Sequence, residues 1–304
     1  MDRFLEKIRR LKKERNAVIL AHNYQPGEIQ DLADFCGDSL GLSIEASKTD
    51  ADVIVFCGVR FMAETAAILS PDKIVLLPEK TAGCPMADMI TAEQLRQLKA
   101  KFPGAIVICY VNSTAEVKAE SDYCCTSSNA IAVVNSLTGD KKILFVPDRN
   151  LGAFVAERTG RDIELWPGYC TTHVCITEDD IRRAKQKYPD AVVMSHPECT
   201  EPVRKISDEL LSTGQMLKFV RKRSAKRYIV ATEKGIIHAL KKENPDAEYI
   251  PATERAICPN MKKITIDKVI RALEELKERI VVDAETGARA RKALGRMVEI
   301  LPTD

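Results

Sequence analysis

The chain has 304 residues, 45% of them hydrophobic, and its 46 Lys and Arg against 44 Asp and Glu leave a formal charge of +2. That length supports a sizeable core and, by size alone, about two domains, while the near-neutral balance excludes a basic nucleic-acid-binding field and an acidic tail. No apolar run reaches the roughly 18 residues of a membrane span and the N-terminus lacks an apolar signal core, so neither membrane nor nucleic acid is an expected partner and the expected compartment is the cytoplasm.

From the start of the chain, MDRFLEKIRRLKKERN reads as an amphipathic helix packed on the body, because Glu6 and Glu14 interrupt its basic face. Short apolar runs bounded by turn residues then alternate with helical patterns, as parallel β/α units do. The first three runs are AVILAHNY (17–24), VIVFCG (53–58) and KIVLLPEKTAGCP (73–85). The next three are AIVICYVN (105–112), KILFVPDR (142–149) and IELWPGYC (163–170). The last three are AVVMSHPE (191–198), RYIVATEKG (227–235) and EYIPATERAICP (248–259). A helix over about 266–279 and a tail to residue 304 follow.

The three sets match one another residue by residue. Each closes on a cysteine, Cys84, Cys170 or Cys258, spaced by 86 and 88 residues. Their first strands end on His22, Tyr110 and His196, spaced by 88 and 86, and two residues later come Tyr24, Asn112 and Glu198. The first helices open at GDSLGLS, CTSSNA and LSTGQM, which puts Ser39, Ser127 and Thr213 at matched points. A fixed period of this kind is read before anything else. It predicts an α/β chain of three similar αβα three-layer domains with short parallel sheets, related by pseudo-threefold symmetry around a central cavity. The expected domains are 17–100, 101–187 and 188–265, with 1–16 and 266–304 as terminal helices packed on the body.

Ligands of open α/β sheets bind beyond the carboxyl ends of the strands, where these polar residues fall. Three converging cysteines leave one coordination position unfilled. Structural zinc is normally closed by four ligands, and a catalytic zinc on three thiolates is unusual. Soft thiolates also suit iron–sulfur clusters, where three cysteines would leave one iron of a [4Fe–4S] cube open to act as a Lewis acid. Both metals stay open at this point. His22, His196, Ser39, Ser127, Thr213 and Asn112 are hydrogen-bond donors suited to a small polyanion. Glu198 is a candidate base, and Tyr24 and Tyr110 can relay protons. His173, three residues past Cys170, is expected to act at the site.

The other cysteines read as packing residues: Cys36, Cys57 and Cys109 in apolar segments, and Cys124, Cys125 and Cys175 elsewhere. Cys199 is expected near the cavity without being a ligand. Met261 is expected on the apolar wall, and Trp166 and the PDR turn (147–149) are expected to be structural.

AHNYQ, GDSLGLS, GVRFMAETA, TAGCPMADM, CYVNSTAEVKAESDYCCTSSNA, PDRNLG, WPGYCTTH, SHPEC and TERAICPNM together resemble the motifs of the quinolinate synthase family, over nearly the whole chain. The resemblance implies a [4Fe–4S] cluster on Cys84, Cys170 and Cys258. It implies condensation of iminoaspartate with dihydroxyacetone phosphate to quinolinate, with loss of phosphate and two waters, and a transient contact with the enzyme supplying iminoaspartate. It further implies that His22, Ser39, Asn112, Ser127 and Thr213 bind substrate, and that Tyr24, Tyr110 and Glu198 handle protons, with His173 and His196 beside substrate. Some members carry C-x-x-C-x-x-C near the C-terminus; this chain has only Cys258 there, which leaves a local disulfide switch without support. A diphthamide-forming enzyme, which cleaves S-adenosylmethionine on a similar one-cysteine-per-domain layout, and a non-catalytic iron–sulfur sensor are the alternative readings.

Overall fold

A computed structural model of the protein describes residues 2–222 and 224–302; the extreme ends of the expected terminal segments and residue 223 of the third repeat lie outside the described residues. Twelve described strands form three separate four-stranded sheets, all parallel. The first holds β1 (Ala17–His22), β2 (Phe35–Gly37), β3 (Val53–Cys57) and β4 (Ile74–Leu76). The second holds β5 (Ile106–Tyr110), β6 (Tyr123–Cys125), β7 (Ile143–Val146) and β8 (Ile163–Leu165). The third holds β9 (Val192–Ser195), β10 (Glu209–Leu210), β11 (Arg227–Ala231) and β12 (Glu248–Pro251). Each sheet has the same spatial order, with its second strand at one edge, then its first, third and fourth. The central strands are runs of Val, Ile, Leu and Phe buried on both faces, as expected where helices cover a parallel sheet.

The edge strands β2, β6 and β10 are absent from the sequence-based expectation, which gave three strands per repeat. At two or three residues each they show no alternation to read. Their placement depends instead on an aspartate just before the strand. Asp34, Asp122 and Asp208 each accept a hydrogen bond at 2.8 Å from the backbone N–H of Ile19, Val107 or Val193 in the neighbouring central strand. The same three aspartates donate their own N–H to the carbonyl of that residue at 2.9, 3.0 and 3.1 Å. One carboxylate and one amide thus clamp the start of each short strand. Five residues past each aspartate stand Ser39, Ser127 and Thr213.

The N-terminal helix Asp2–Arg15 buries Ile8 and Leu11 against Val269, Ile270 and Leu273 of the helix Ile266–Glu275. Arg15 Nε adds a bond to the Leu273 carbonyl at 3.3 Å. The expected tail is a 16-residue helix, Ala284–Glu299. Its buried face of Ala290, Ala293, Leu294 and Met297 lies against the helix Ala115–Ala119 and β6. Asn129 of the second repeat fastens its far end, donating to the carbonyls of Met297 at 2.9 Å and Ile300 at 2.8 Å.

Replacing Asp122 by Ala strands the Val107 N–H and releases the start of β6. The expected cost is about 1–3 kcal/mol, seen as a lower urea midpoint and faster hydrogen exchange at Val107.

Candidate active site

All thirteen residues singled out from the sequence line one buried cavity at the carboxyl ends of the strands. The central strands supply His22 and Tyr110 as their last residues and His196 one residue past β9, with Tyr24, Asn112 and Glu198 two residues further on. The ends of the fourth strands lead to Cys84, Cys170 and Cys258. The helices Ser39–Lys48 and Thr213–Arg221 aim their N-termini at the cavity, with Ser39 and Thr213 as first residues, while Ser127 sits in the turn before the helix Ala130–Asn135. These two helix ends approach so closely that a Cβ on Gly214 would fall 2.5 Å from Asp38 Oδ2. Asp38, which caps the first of them through the Gly41 N–H at 2.8 Å, also lines the cavity and was not foreseen. Met261 lines the wall as expected from its position, whereas Cys199 is buried outside the lining.

The backbone decides what the histidines offer. His22 Nδ1 accepts from the Tyr24 N–H at 3.1 Å, and His196 Nδ1 accepts from the Glu198 N–H at 3.2 Å. An acceptor nitrogen carries no proton, so in each neutral ring the proton sits on Nε2. Burial pushes both imidazoles down to about 3, against the raising influence of Glu198. At neutral pH they are uncharged donors. His196 Nε2 lies 3.1 Å from Ser127 Oγ, and its ring stacks on His173 at 4.7 Å.

Glu198 is 3% exposed and is the hub of the polar groups. Burial raises its carboxyl, but the adjoining imidazoles of His173 and His196 and hydrogen bonds from His173 and Tyr110 outweigh this and hold it below the ordinary carboxylate range. His173 Nδ1 is 2.7 Å from Oε2, and the Tyr110 hydroxyl donates to Oε1. On its other side His173 Nε2 is 2.8 Å from Thr232 Oγ1, which is 2.5 Å from the Tyr24 hydroxyl. Tyr24, Thr232, His173, Glu198 and Tyr110 therefore form one continuous buried chain of exchangeable protons. Burial, reinforced by Glu198, pushes both phenols well above their ordinary range, so they hold their protons at neutral pH. Thr232 is the link that sequence reasoning missed; a threonine one residue past a strand carries no signal of its own.

The three cysteines share one local geometry. The residue two before each accepts a backbone bond that draws the fourth strand's end toward the third: Ala82 from Arg60 at 2.8 Å, Gly168 from Arg149 at 2.9 Å and Ala256 from Lys234 at 3.0 Å. Gly168 has to be glycine, since a Cβ there would lie 2.4 Å from the Pro147 carbonyl. After each cysteine the chain turns at once into a single helical turn. Backbone N–H groups of that turn favour the thiolate against burial: Ala87 and Met86 at Cys84, His173 at Cys170, and Met261 and Asn260 at Cys258. Burial raises all three thiols, Cys84 to about 12, so they stay protonated until a metal displaces the proton. Half-buried soft donors from three sheets that face one cavity are compatible with an iron–sulfur group. His173 Nδ1 also lies 3.1 Å from Cys170 Sγ, and Cys170, His173 and Glu198 offer ligand atoms within 4.8 Å of one another.

The remaining cysteines divide differently from expectation. Cys57, Cys109, Cys124 and Cys125 are buried in packing, but Cys36 and Cys175 are only half-buried. Cys36 sits on the edge strand β2, which no further strand covers among the described residues. Trp166 donates its indole N–H to the Met89 carbonyl at 2.9 Å, a bond between the first and second repeats.

Fold and site together define a three-sheet α/β protein that gathers one thiol from each sheet beside a buried proton relay. Among the described residues no helix is long and apolar enough to cross a membrane. The family described as quinolinate synthetase A protein matches residues 6–299, and the chain belongs to it. It is 57% identical over 295 residues to a quinolinate synthase of Dehalococcoides mccartyi, covering 97% of each chain. The corresponding protein of Geobacter metallireducens is 52% identical over 299 residues, 98% of each chain. Quinolinate synthase 2 of Methanosarcina acetivorans is 50% identical over 303 residues, 99% of this chain and 97% of that one.

His22 imposes a pH dependence with a definite sign. Above about pH 6.5 its contribution to stability is complete, because neither the folded nor the unfolded chain protonates it. As pH falls, the unfolded chain takes up a proton that the folded chain refuses until about 3. Replacing His22 by Gln will flatten the urea-derived stability profile between about pH 6 and 4 by roughly 1.4 kcal/mol per pH unit.

Proposed function

We propose that this protein is a quinolinate synthase that condenses iminoaspartate with dihydroxyacetone phosphate, releasing phosphate and two waters. The observation that carries this reading is the meeting of Cys84, Cys170 and Cys258 with the Glu198 proton chain in one cavity. The three cysteines would hold a [4Fe–4S] cluster. Such a cluster, with one iron not claimed by cysteine, supplies a Lewis-acid position for a substrate oxygen or nitrogen when bound. Each sheet with its flanking helices is read as one domain, 17–100, 101–187 and 188–265.

Both substrates are anions, and the cavity meets them with neutral donors. The hydroxyls of Ser39, Ser127 and Thr213, the Asn112 side chain and the Nε2–H groups of His22 and His196 are placed to bond carboxylate and phosphate oxygens. The N-termini at Ser39 and Thr213 add partial positive charge. Glu198 is ionised and acts as the base that takes a proton from carbon. That proton is shared through Tyr110 on one side and through His173, Thr232 and Tyr24 on the other. A departing hydroxyl draws a proton from the same chain, so the dehydrations need none from bulk water. An imine hydrolyses in water, which makes the enzyme that supplies iminoaspartate a transient partner of this one.

The test is anaerobic turnover of the two substrates with quinolinate as the measured product. The protein is expected to be brown, with about four iron and four sulfide per chain, as a [4Fe–4S] cluster requires. Cys84→Ser, Cys170→Ser and Cys258→Ser each abolish the cluster, and Cys57→Ser does not. A colourless protein with one zinc per chain would replace this reading by a mononuclear site on Cys170, His173 and Glu198. Glu198→Gln should keep its iron and lose turnover about 10²- to 10⁴-fold. Undiminished activity in that variant overturns the assignment of Glu198 as base.

A further inference from the structure

Among the described residues two carboxyl groups outside the proton chain are wholly buried, Asp148 and Glu233, each 0% exposed. They occupy the same place in two repeats, two residues beyond the ends of β7 and β11. Asp148 belongs to the PDR turn. Its Oδ1 accepts from the Leu151 N–H at 2.7 Å and caps the helix Arg149–Thr159. Its Oδ2 faces the other way and accepts from the Cys170 N–H at 3.2 Å. Glu233 repeats the arrangement with a longer side chain. Its Oε2 accepts from the Gly235 N–H at 2.7 Å, and its Oε1 accepts from the Cys258 N–H at 3.1 Å. Lys262 Nζ lies 2.9 Å from Oε1 and 3.0 Å from Oε2. The matching position of the first sheet holds Val59, and among the described residues no carboxylate accepts from the Cys84 N–H.

Capping alone does not explain a buried acid here. Elsewhere in the chain Thr91, Thr114 and Ser212 cap helices with a hydroxyl, at a smaller desolvation cost. A carboxyl group suits a place where backbone donors approach from two sides, since each of its oxygens accepts one. An amide in the same place would turn its NH₂ toward one of the two N–H groups. The second donor is in each case the backbone of a cysteine that faces the cavity.

We propose that Asp148 and Glu233 are positioning residues that lock the backbones of Cys170 and Cys258 so that their sulfurs are fixed for the cluster before it binds. This rests on the three-cysteine iron–sulfur reading given above. Outer partners that orient ligands govern how firmly a metal is kept.

The test compares anaerobic wild-type protein with Asp148→Asn and Glu233→Gln, which preserve size and reverse one hydrogen-bonding face. Three quantities are read: iron and sulfide content, the rate of iron capture by a ferrous chelator, and the electron paramagnetic resonance spectrum of the dithionite-reduced protein. Asp283→Ala is the control, because Asp283 caps the helix Ala284–Glu299 with a carboxylate and holds no cysteine. Both variants should release iron about 10- to 100-fold faster, or fail to retain it, with an altered spectrum where the cluster survives. The control should keep wild-type values. Wild-type protein without iron defeats the underlying reading. Wild-type protein with its cluster, beside variants of unchanged release rate and spectrum, overturns this proposal alone. If one variant loses its native circular dichroism the other decides; loss in both assigns the two acids to the fold and overturns the proposal.

Discussion

A carboxylate leaves water at a cost of several kcal/mol, and only close donors offset that cost. Glu198, carried by the third sheet, takes its two side-chain donors, Tyr110 and His173, from the second. His173 in turn meets Thr232 of the third sheet, which meets Tyr24 of the first. The solvation of a single ion therefore fixes the mutual placement of three parts of the chain that are far apart in sequence. Removing one partner would leave a buried charge uncompensated, at about 3–5 kcal/mol. Stability and chemistry share the same bonds here, so the cavity cannot be loosened without unsettling the ion at its centre.

Around that ion the three repeats supply one backbone and different side chains. The aspartate clamp before the edge strand is identical in all three, down to its 2.8 Å bond. So is the bond that draws the cysteine loop inward. What varies is the residue displayed at each matched point. Two past His22, Tyr110 and His196 stand Tyr24, Asn112 and Glu198; three past the cysteine stand Ala87, His173 and Met261. The scaffold is repeated, whereas the buried carboxylate, its proton chain and the acids that accept from a cysteine N–H each belong to one or two copies.

Much of this was legible because parallel strands all point their carboxyl ends the same way. A polar residue that ends an apolar run, such as His22 or His196, is conspicuous, and its periodic partners identify the shared edge. The short strands β2, β6 and β10 were not legible, since two or three residues cannot show a period. Their signal lies in the preceding aspartates, in ADFCGDS, SDYCCTS and SDELLST. Within the terminal helices expected over 266–304, the separate span of the helix Ala284–Glu299 was not legible, for another reason. It packs through Ala290 and Ala293 beside Leu294 and Met297, and its many arginines mask so narrow an apolar face. Cys36 read as core from its neighbours, yet it belongs to a sheet edge. Thr232, Asp148 and Glu233 look like ordinary turn residues until their partners, remote in sequence, are seen.

No lysine or arginine lines the cavity among the described residues. Its electropositive character comes from imidazole N–H groups without charge, from hydroxyls and from peptide dipoles at two helix ends. A guanidinium clamp would hold a phosphate tightly and then be left bare when that phosphate departed. In the proposed reaction the hydroxyls rotate to new partners while the helix dipoles stay fixed, so an anionic leaving group would exit without leaving a guanidinium unpaired. On the proposed reading, such a pocket hands anions onward as much as it grips them.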